Sequence, residues 1–415
     1  MVRIKGFKAI RPKRELASKI ASPPYDVVSS EEARILVNIE PYSFLHVVKS
    51  EVDLPPQTNL YDHKVYAKAS ENLKMFREKY MIQDVCESMY IYRQILNGRS
   101  QTGLIAVQHI DDYLDGHVKI HELTREEKEI DRINHIDIVN AHTGPVFFTY
   151  QDNRKIDRLI EDQTHNKAEY DFTTQDTVRH TLWLINNNQV ISELRKHFAN
   201  IEYVYVADGH HRSKASATVG KMRRDNNPQH TGKEEYNWFL AVFFPDNQLN
   251  IIDYNRIIKD LNGLNEDKFL SALQENFDLE KTCCKDSAKP RKEHDFAMYL
   301  GQNWYKLRLK TDKFDLSDPV ESLDSALLTN LILSPILGIQ NIRKDNRIDF
   351  VGGDRGLEEL EKRVNSGEMK LAFALYPITI EQLIEVADSK ALMPPKTTWF
   401  EPKLRSGLFV HSLED

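Results

Sequence analysis

Cysteine is scarce in this chain: 415 residues hold three, Cys86 and the adjacent Cys283 and Cys284. That excludes a disulfide framework, and the spacing matches no zinc site, so a reducing, cytoplasmic setting is expected. Long apolar runs are missing as well. No window approaches the ~18 apolar residues of a membrane span, and Met1 to Lys8 has no apolar signal-peptide core, so an intracellular soluble protein is expected. Positive charge is not in excess. A formal net charge of −7 and a pI near 6.1 give no general attraction to nucleic acid or to an anionic membrane, and neither is expected as a partner. The glycine-rich phosphate loops are absent too: Gly352-Gly353-Asp354-Arg355-Gly356 lacks both the Gly-Lys-Ser/Thr ending and the Gly-x-Gly-x-x-Gly spacing, and is expected to be a turn.

What is present alternates between strand and helix patterns without internal repeats, which predicts a mixed α/β protein of more than one domain. Met89 to Ile95 and Gly103 to Val107 flank Asn97-Gly98, a strong hairpin signal. A helix is expected from about Asp62 to Glu78, further strands at Val146 to Tyr150, Leu182 to Ile185 and Val204 to Val206, and helices at Ile191 to Phe198 and Ser213 to Arg224. The pattern restarts after the charged stretch Lys281 to His294, with a strand at Trp304 to Leu309. The expected division is an N-terminal segment, 1–84, packed on a catalytic core, 85–280; then a linker, 281–294, and a C-terminal α/β domain, 295–415, whose tail returns to the active site.

The densest chemistry follows the apolar run Tyr203 to Ala207: Asp208-Gly209-His210-His211-Arg212-Ser213. A strand, a glycine turn and a helix start bring backbone amides, a guanidinium and a carboxylate together, which suits phosphate. The plainer alternative is a capped helix in which Asp208 and Ser213 satisfy backbone groups. His210, His211 and Asp208 do not have the spacing of a structural zinc site.

A second cluster is Lys119-Ile120-His121-Glu122-Leu123-Thr124, followed by Arg132. Thr124-x-x-Glu127 predicts a capping box and hence a helix start near Thr124. Glu122 is expected to be a general base, with Lys119 and Arg132 on a phosphorylated ligand. A third cluster is Met393-Pro394-Pro395-Lys396-Thr397-Thr398 running to Gly407. Its prolines fix the backbone while Lys396, Thr398, Lys403 and Arg405 present donors, which makes either a rigid anion-binding loop or a structural clasp. Trp399, Phe400, Leu404, Leu408 and Phe409 carry too much apolar surface for a free tail, so it should pack back onto the body.

Asp208-Gly209-His210-His211-Arg212 between a strand and a helix resembles the signature of the ParB/sulfiredoxin-like superfamily, in the version found in archaeal ADP-dependent free-serine kinases. His121-Glu122 is similar to the His-Glu pair whose glutamate acts on the serine hydroxyl there. Together with Ala21-Ser22-Pro23-Pro24-Tyr25-Asp26-Val27-Val28, Tyr254-Asn255-Arg256 and the Met393 to Gly407 tail, these segments also resemble a bacterial family long described as a domain of unknown function, over nearly the whole chain. The resemblance implies a ParB-like core and a kinase that converts free L-serine to O-phospho-L-serine, with pyrophosphate as the donor in some members. This chain is much longer than the archaeal kinase, which leaves a nucleotide donor open.

The expected mechanism joins these parts. Glu122, with His121 beside it, takes the serine proton; Asp208 holds Mg²⁺ or assists the base; Gly209, His210, His211, Arg212 and Ser213 cradle the donor phosphate; Lys119, Arg132, Lys396, Thr398, Lys403 and Arg405 complete the anion site. The alternatives are a phosphoserine phosphatase and a ParB-like nucleotide-binding switch.

Overall fold

The computed structural model describes residues 1–414. They form a mixed α/β structure that divides into two units. The first comprises residues 1–120, 124–249 and 402–415; the second comprises 121–123 and 250–401.

Unit 1 is built on a sheet in which nine strands are found among the described residues. Across the sheet the order is Val118–Lys119, Val204–Asp208, Val146–Tyr150, Trp238–Pro245, Arg99–His109, Met89–Leu96, Arg179–Ile185 and Tyr170–Thr173, with Ile4–Lys5 also on Arg99–His109. Two neighbouring pairs are parallel, Val118–Lys119 with Val204–Asp208 and Val146–Tyr150 with Trp238–Pro245. The expected hairpin forms, with Asn97 and Gly98 both at positive φ, 50° and 79°, the geometry that matches the strands' right-handed twist. Phe148, Phe198, Phe239 and Phe243 fill the core on one face of the sheet.

The N-terminal residues have an apolar centre of their own within this unit. Ile20, Phe44, Phe76 and Leu73 enclose it with Val139 and Val410. Ser29 and Glu32 form a capping box at the start of Ser30–Ile39, and Asp62 caps His63–Lys79. The C-terminal segment packs back as its apolar content required: Val410 bridges Ile10, Ser406 bridges Ser22, and His411–Ser412 pairs with Ala141–His142.

The helix His210–Asn226 starts three residues earlier than the apolar pattern suggested, because the turn residues themselves enter the first helical turn. Beyond its first turn the buried residues are mostly small, Ala215, Ser216, Ala217 and Gly220 with Val219, so it lies close to its neighbours. A Cβ at Gly220 would stand 2.4 Å from the Tyr236 carbonyl oxygen and 2.7 Å from Ile110 Cδ1. Gly220→Ala is therefore expected to lower stability by about 1–3 kcal/mol although alanine is the better helix former, as a denaturant titration would read. Stability equal to or above wild type would contradict the close approach.

Unit 2 carries an antiparallel sheet in the order Phe277–Thr282, Asn303–Leu309, Asp295–Leu300, Leu371–Ala374, Tyr254–Ile258, Ile348–Gly352. Phe269, Phe296, Leu328 and Phe373 pack on one face, and Ala297, Trp304, Leu360 and Ala372 on the other. The division between units therefore falls at 249/250 and not in the charged stretch 281–294. That stretch finishes the edge strand Phe277–Thr282 and forms the short helix Lys285–Ala288, with Ala288 buried. An edge strand keeps one side and its ends in water, so a run of charges there does not mark a linker. The C-terminal residues are likewise split: Trp399–Phe400 pairs with Ile251–Ile252 in unit 2, while 402–415 belong to unit 1. Gly353–Arg355 is one turn of 3-10 helix, in line with the turn expected there.

Candidate anion site

The strand Val204–Asp208 runs parallel to Val118–Lys119 and antiparallel to Val146–Tyr150. Its ladder to Val146–Tyr150 shifts register between Val206 and Asp208, a bulge that re-aims the last residue of the strand. Gly209 follows at φ 96°, a left-handed conformation that a side chain would strain, and occupies the N-cap position of His210–Asn226. A Cβ there would also approach Arg212 Nε to 3.0 Å.

Arg212 turns back beneath this turn and is buried. Nη1 donates to the Pro145 carbonyl, Nη2 donates to Asp208 Oδ2 at 3.2 Å, and Asp26 Oδ2 lies 3.9 Å away. Lys403 Nζ is 3.8 Å from the same Asp208 oxygen. Asp208 is thus a carboxylate held between two cations at the end of a bulged strand. Ser213 is fully buried, and its hydroxyl donates to the His210 carbonyl. His211 Nε2 accepts the Arg125 amide at 2.9 Å, and Lys214 bridges Glu129 at 2.7 Å and Thr124 at 3.4 Å.

These contacts correct the predicted capping box. The helix begins at Glu126 with Arg125 as its N-cap, and the Thr124 hydroxyl donates to Glu129 Oε2 at 3.1 Å instead of capping. The Arg125 amide is committed to His211, which sets the helix entry one residue later than the box requires.

A cavity of about 30 Å³ lies under the turn, lined among others by Tyr25, Arg132, His135, His142, Arg212 and Ser406. Arg132 pairs with Asp131 at 2.7 Å and lies 4.0 Å over the Tyr25 ring. Burial and the neighbouring Asp26 push the Tyr25 hydroxyl above its ordinary range. Burial also holds His210 and His135 down at about 4, below the ordinary imidazole value near 6.5. These rings are neutral in the native state, whereas the unfolded chain protonates them below about pH 6.5. The unfolded state then binds more protons, so this contribution to stability is complete above that pH and is lost as pH falls towards about 4. Thermal melts between pH 7.5 and 4.5 should show a falling midpoint across that window, and a flat profile would contradict the buried neutral rings.

The remaining predicted site residues are placed as follows. Lys119 Nζ lies 4.1 Å over the Tyr203 ring. The Arg405 guanidinium is not at the turn: it pairs with Asp176 and donates to Thr174 Oγ1 at 3.2 Å, which makes it a clasp for the C-terminal segment. His121, Glu122, Lys396 and Thr398 belong to unit 2. There the His121 carbonyl accepts the Met393 amide at 2.9 Å, His121 Nε2 is 3.4 Å from Thr398 Oγ1, and Lys396 Nζ is 5.5 Å from the Tyr254 ring centre. The structure therefore groups Asp208, Arg212 and Lys403 within unit 1, where Arg132 and Arg212 line one cavity, and His121 with Thr398 within unit 2.

Sequence reasoning did not single out His135 and His142 for the site, and it named Tyr25 and Arg256 only as parts of family segments. Single histidines in apolar surroundings carry no spacing signal. Arg256 is fully buried, donates to the Tyr254 carbonyl and has no carboxylate partner among the described residues, and burial lowers it to about 10. Among the described residues no group of three or more His, Cys, Asp or Glu side chains is arranged to hold a metal ion, and no helix is long and apolar enough to cross a membrane.

The family profile described as "Protein of unknown function (DUF1015)" matches residues 4–326, and the chain belongs to that family. Curated proteins gave no match. Similar solved structures include a free serine kinase in complex with AMP, at 13% identity and TM-score 0.37 over 74% of this chain and 91% of that one. A conserved hypothetical protein from Pyrococcus furiosus, at 13% and TM-score 0.37, matches over 74% of this chain and 95% of that one. C-terminally truncated SbnI from Staphylococcus aureus, at 10% and TM-score 0.39, matches over 74% and 87%.

Proposed function

We propose that the protein transfers a phosphoryl group from pyrophosphate to the hydroxyl of free L-serine, giving O-phospho-L-serine and releasing orthophosphate. The observation that carries this reading is the Asp208 to Ser213 turn: a bulged strand end, a left-handed glycine and a helix start, backed by a buried guanidinium and by Lys403. Amides at a helix start together with fixed cations suit the oxygens of a transferring phosphoryl group. The sequence resemblance of this turn and of His121-Glu122 to free-serine kinases supplies the acceptor. Absence of a nucleotide loop motif favours a simple donor.

In this reading Glu122 accepts the serine proton, and Arg212, Lys403 and the turn amides hold the donor phosphate. Asp208 suits Mg²⁺, which is usually bound through one or two carboxylates with substrate oxygens and waters completing its shell. When bound, Mg²⁺ would neutralise donor oxygens. The test is incubation of the protein with L-serine, Mg²⁺ and, in turn, pyrophosphate, ADP and ATP, with O-phosphoserine read by mass spectrometry. Product with pyrophosphate is expected. No product with any donor would overturn the kinase reading, and release of phosphate from added O-phosphoserine would replace it with a phosphatase.

A further inference from the structure

The cavity beneath the turn presents both kinds of hydrogen-bonding capacity, and the kind each histidine presents follows from its neighbours. His411 and His142 face each other directly across the strand pair His411–Ser412 and Ala141–His142. Their Nδ1 atoms are 3.2 Å apart, and the ring planes differ by 7° at a centroid separation of 5.4 Å. That combination sets the rings edge to edge, as a hydrogen bond between them requires. At the far end His411 Nε2 is 2.9 Å from Glu235 Oε2, and Lys5 Nζ is 2.7 Å from the other Glu235 oxygen.

An ionised carboxylate only accepts, so His411 donates through Nε2; burial holds its imidazole below the ordinary range, and the neutral ring accepts at Nδ1. His142 must then donate through Nδ1. Its remaining nitrogen, Nε2, carries a lone pair and is buried without a partner in a ring that walls the cavity. Burial and the adjacent His411 hold His142 well below the ordinary imidazole range, which agrees with a neutral ring. His135 repeats the pattern: Nε2 is 3.2 Å from the Val47 carbonyl, so it donates there and leaves Nδ1 as an acceptor. Two guanidinium donors stand against these two acceptors. Arg132 uses Nε and Nη2 on Asp131, and Arg212 has its Nε buried without a partner.

We infer that this cavity takes the head group of an α-amino acid, its carboxylate on Arg132 and its ammonium on His142 Nε2 and His135 Nδ1, while Arg212, which also lines it, serves the donor phosphate at the turn. His411 and Glu235 are the positioning residues that fix the accepting tautomer. An ammonium has enough N–H donors for both imidazoles, whereas a hydroxyl has one. A phosphate near neutral pH carries only one or two P–OH donors among its oxygens and would set the rest against the imidazole lone pairs, so the donor phosphate belongs elsewhere at the turn. The volume agrees: about 30 Å³ is room for about two waters, hence for polar head atoms and not for a nucleobase. The proposal rests on the kinase reading for the identity of the amino acid, serine, but its test does not.

The test is calorimetric titration of the full chain with glycine, acetate and inorganic phosphate, none of which can be phosphorylated on a serine-type hydroxyl. Glycine should bind about tenfold or more tightly than acetate, the difference made by the ammonium contacts, and phosphate should not displace it. In His142→Phe the preference for glycine over acetate should vanish, and in His142→Gln, whose amide oxygen accepts, it should persist. Nitrogen-15 NMR of the wild-type imidazoles, which needs no variant, should show His142 protonated on Nδ1 alone. Equal binding of glycine and acetate, an undiminished preference in His142→Phe, no binding of either, or a proton on His142 Nε2 would each overturn the pocket. Selective glycine binding without any formation of phosphoserine would keep the pocket and remove the kinase reading instead.

Discussion

Glu122→Gln is expected to lower phosphoserine formation by ~10² to 10⁴ while leaving the melting temperature unchanged, since it keeps the side chain's shape and removes only the base. Glu122 is half-buried and lies in the three-residue excursion His121–Leu123 that the chain makes out of unit 1. Such a position tolerates an isosteric amide. The variant's substrate affinity should stay near wild type, so the loss should appear in kcat. Retention of more than about half the activity would move the base elsewhere. Asp208 is the next carboxylate to test, but its Oδ2 faces both Arg212 and Lys403, which favours a role in holding cations over one in taking protons.

Arg212→Ala should fail in two ways at once. The residue is buried with an 8% exposed surface, and its removal strands Asp208, Asp26 and the Pro145 carbonyl without their common donor. Breaking a buried ion pair by deleting one partner costs about 3–5 kcal/mol, so the variant should melt well below wild type. Pyrophosphate affinity should fall with it. Arg212→Lys separates the two effects: it restores charge and part of the stability but not the planar fork, so pyrophosphate binding should remain weak. Calorimetric titration of pyrophosphate into wild type and both variants, alongside melts, reads this out. Unchanged affinity in Arg212→Lys would show that charge alone matters, and unchanged stability in Arg212→Ala would contradict the buried network.

The capped-helix alternative for this turn has Asp208 and Ser213 satisfying backbone groups and expects Arg212→Ala to behave as a surface substitution. A surface residue away from special features would change stability by less than ~0.5 kcal/mol. Arg212 is buried beneath the turn and the Gly209 N-cap has no side chain to accept, whereas the Ser213 hydroxyl does donate to a backbone group, the His210 carbonyl, as that alternative expects.

Local chemistry made much of this protein legible. Asn97-Gly98 specifies a hairpin because those residues take positive φ at little cost, and the apolar periodicities from Val146 to Arg224 yield the strands and helices around the turn. The turn was legible because a glycine between a strand and a helix admits few conformations, and the cluster of polar residues around it is contiguous. The apolar side chains between Leu404 and Phe409 likewise required the C-terminal segment to pack down.

Tertiary structure alone decided where the units divide, because a charged edge strand and a charged linker read the same along the chain. It alone bent Arg405 away to Asp176, engaged the Arg125 amide with His211, and brought Arg132 and His135 of one helix together with His142 and Arg212 of two other elements around one cavity. Hydrogen bonds between residues more than a hundred positions apart, such as His142 to His411, depend on which strands pair, and strand pairing is settled by the packing of the whole sheet and not by any local run of residues.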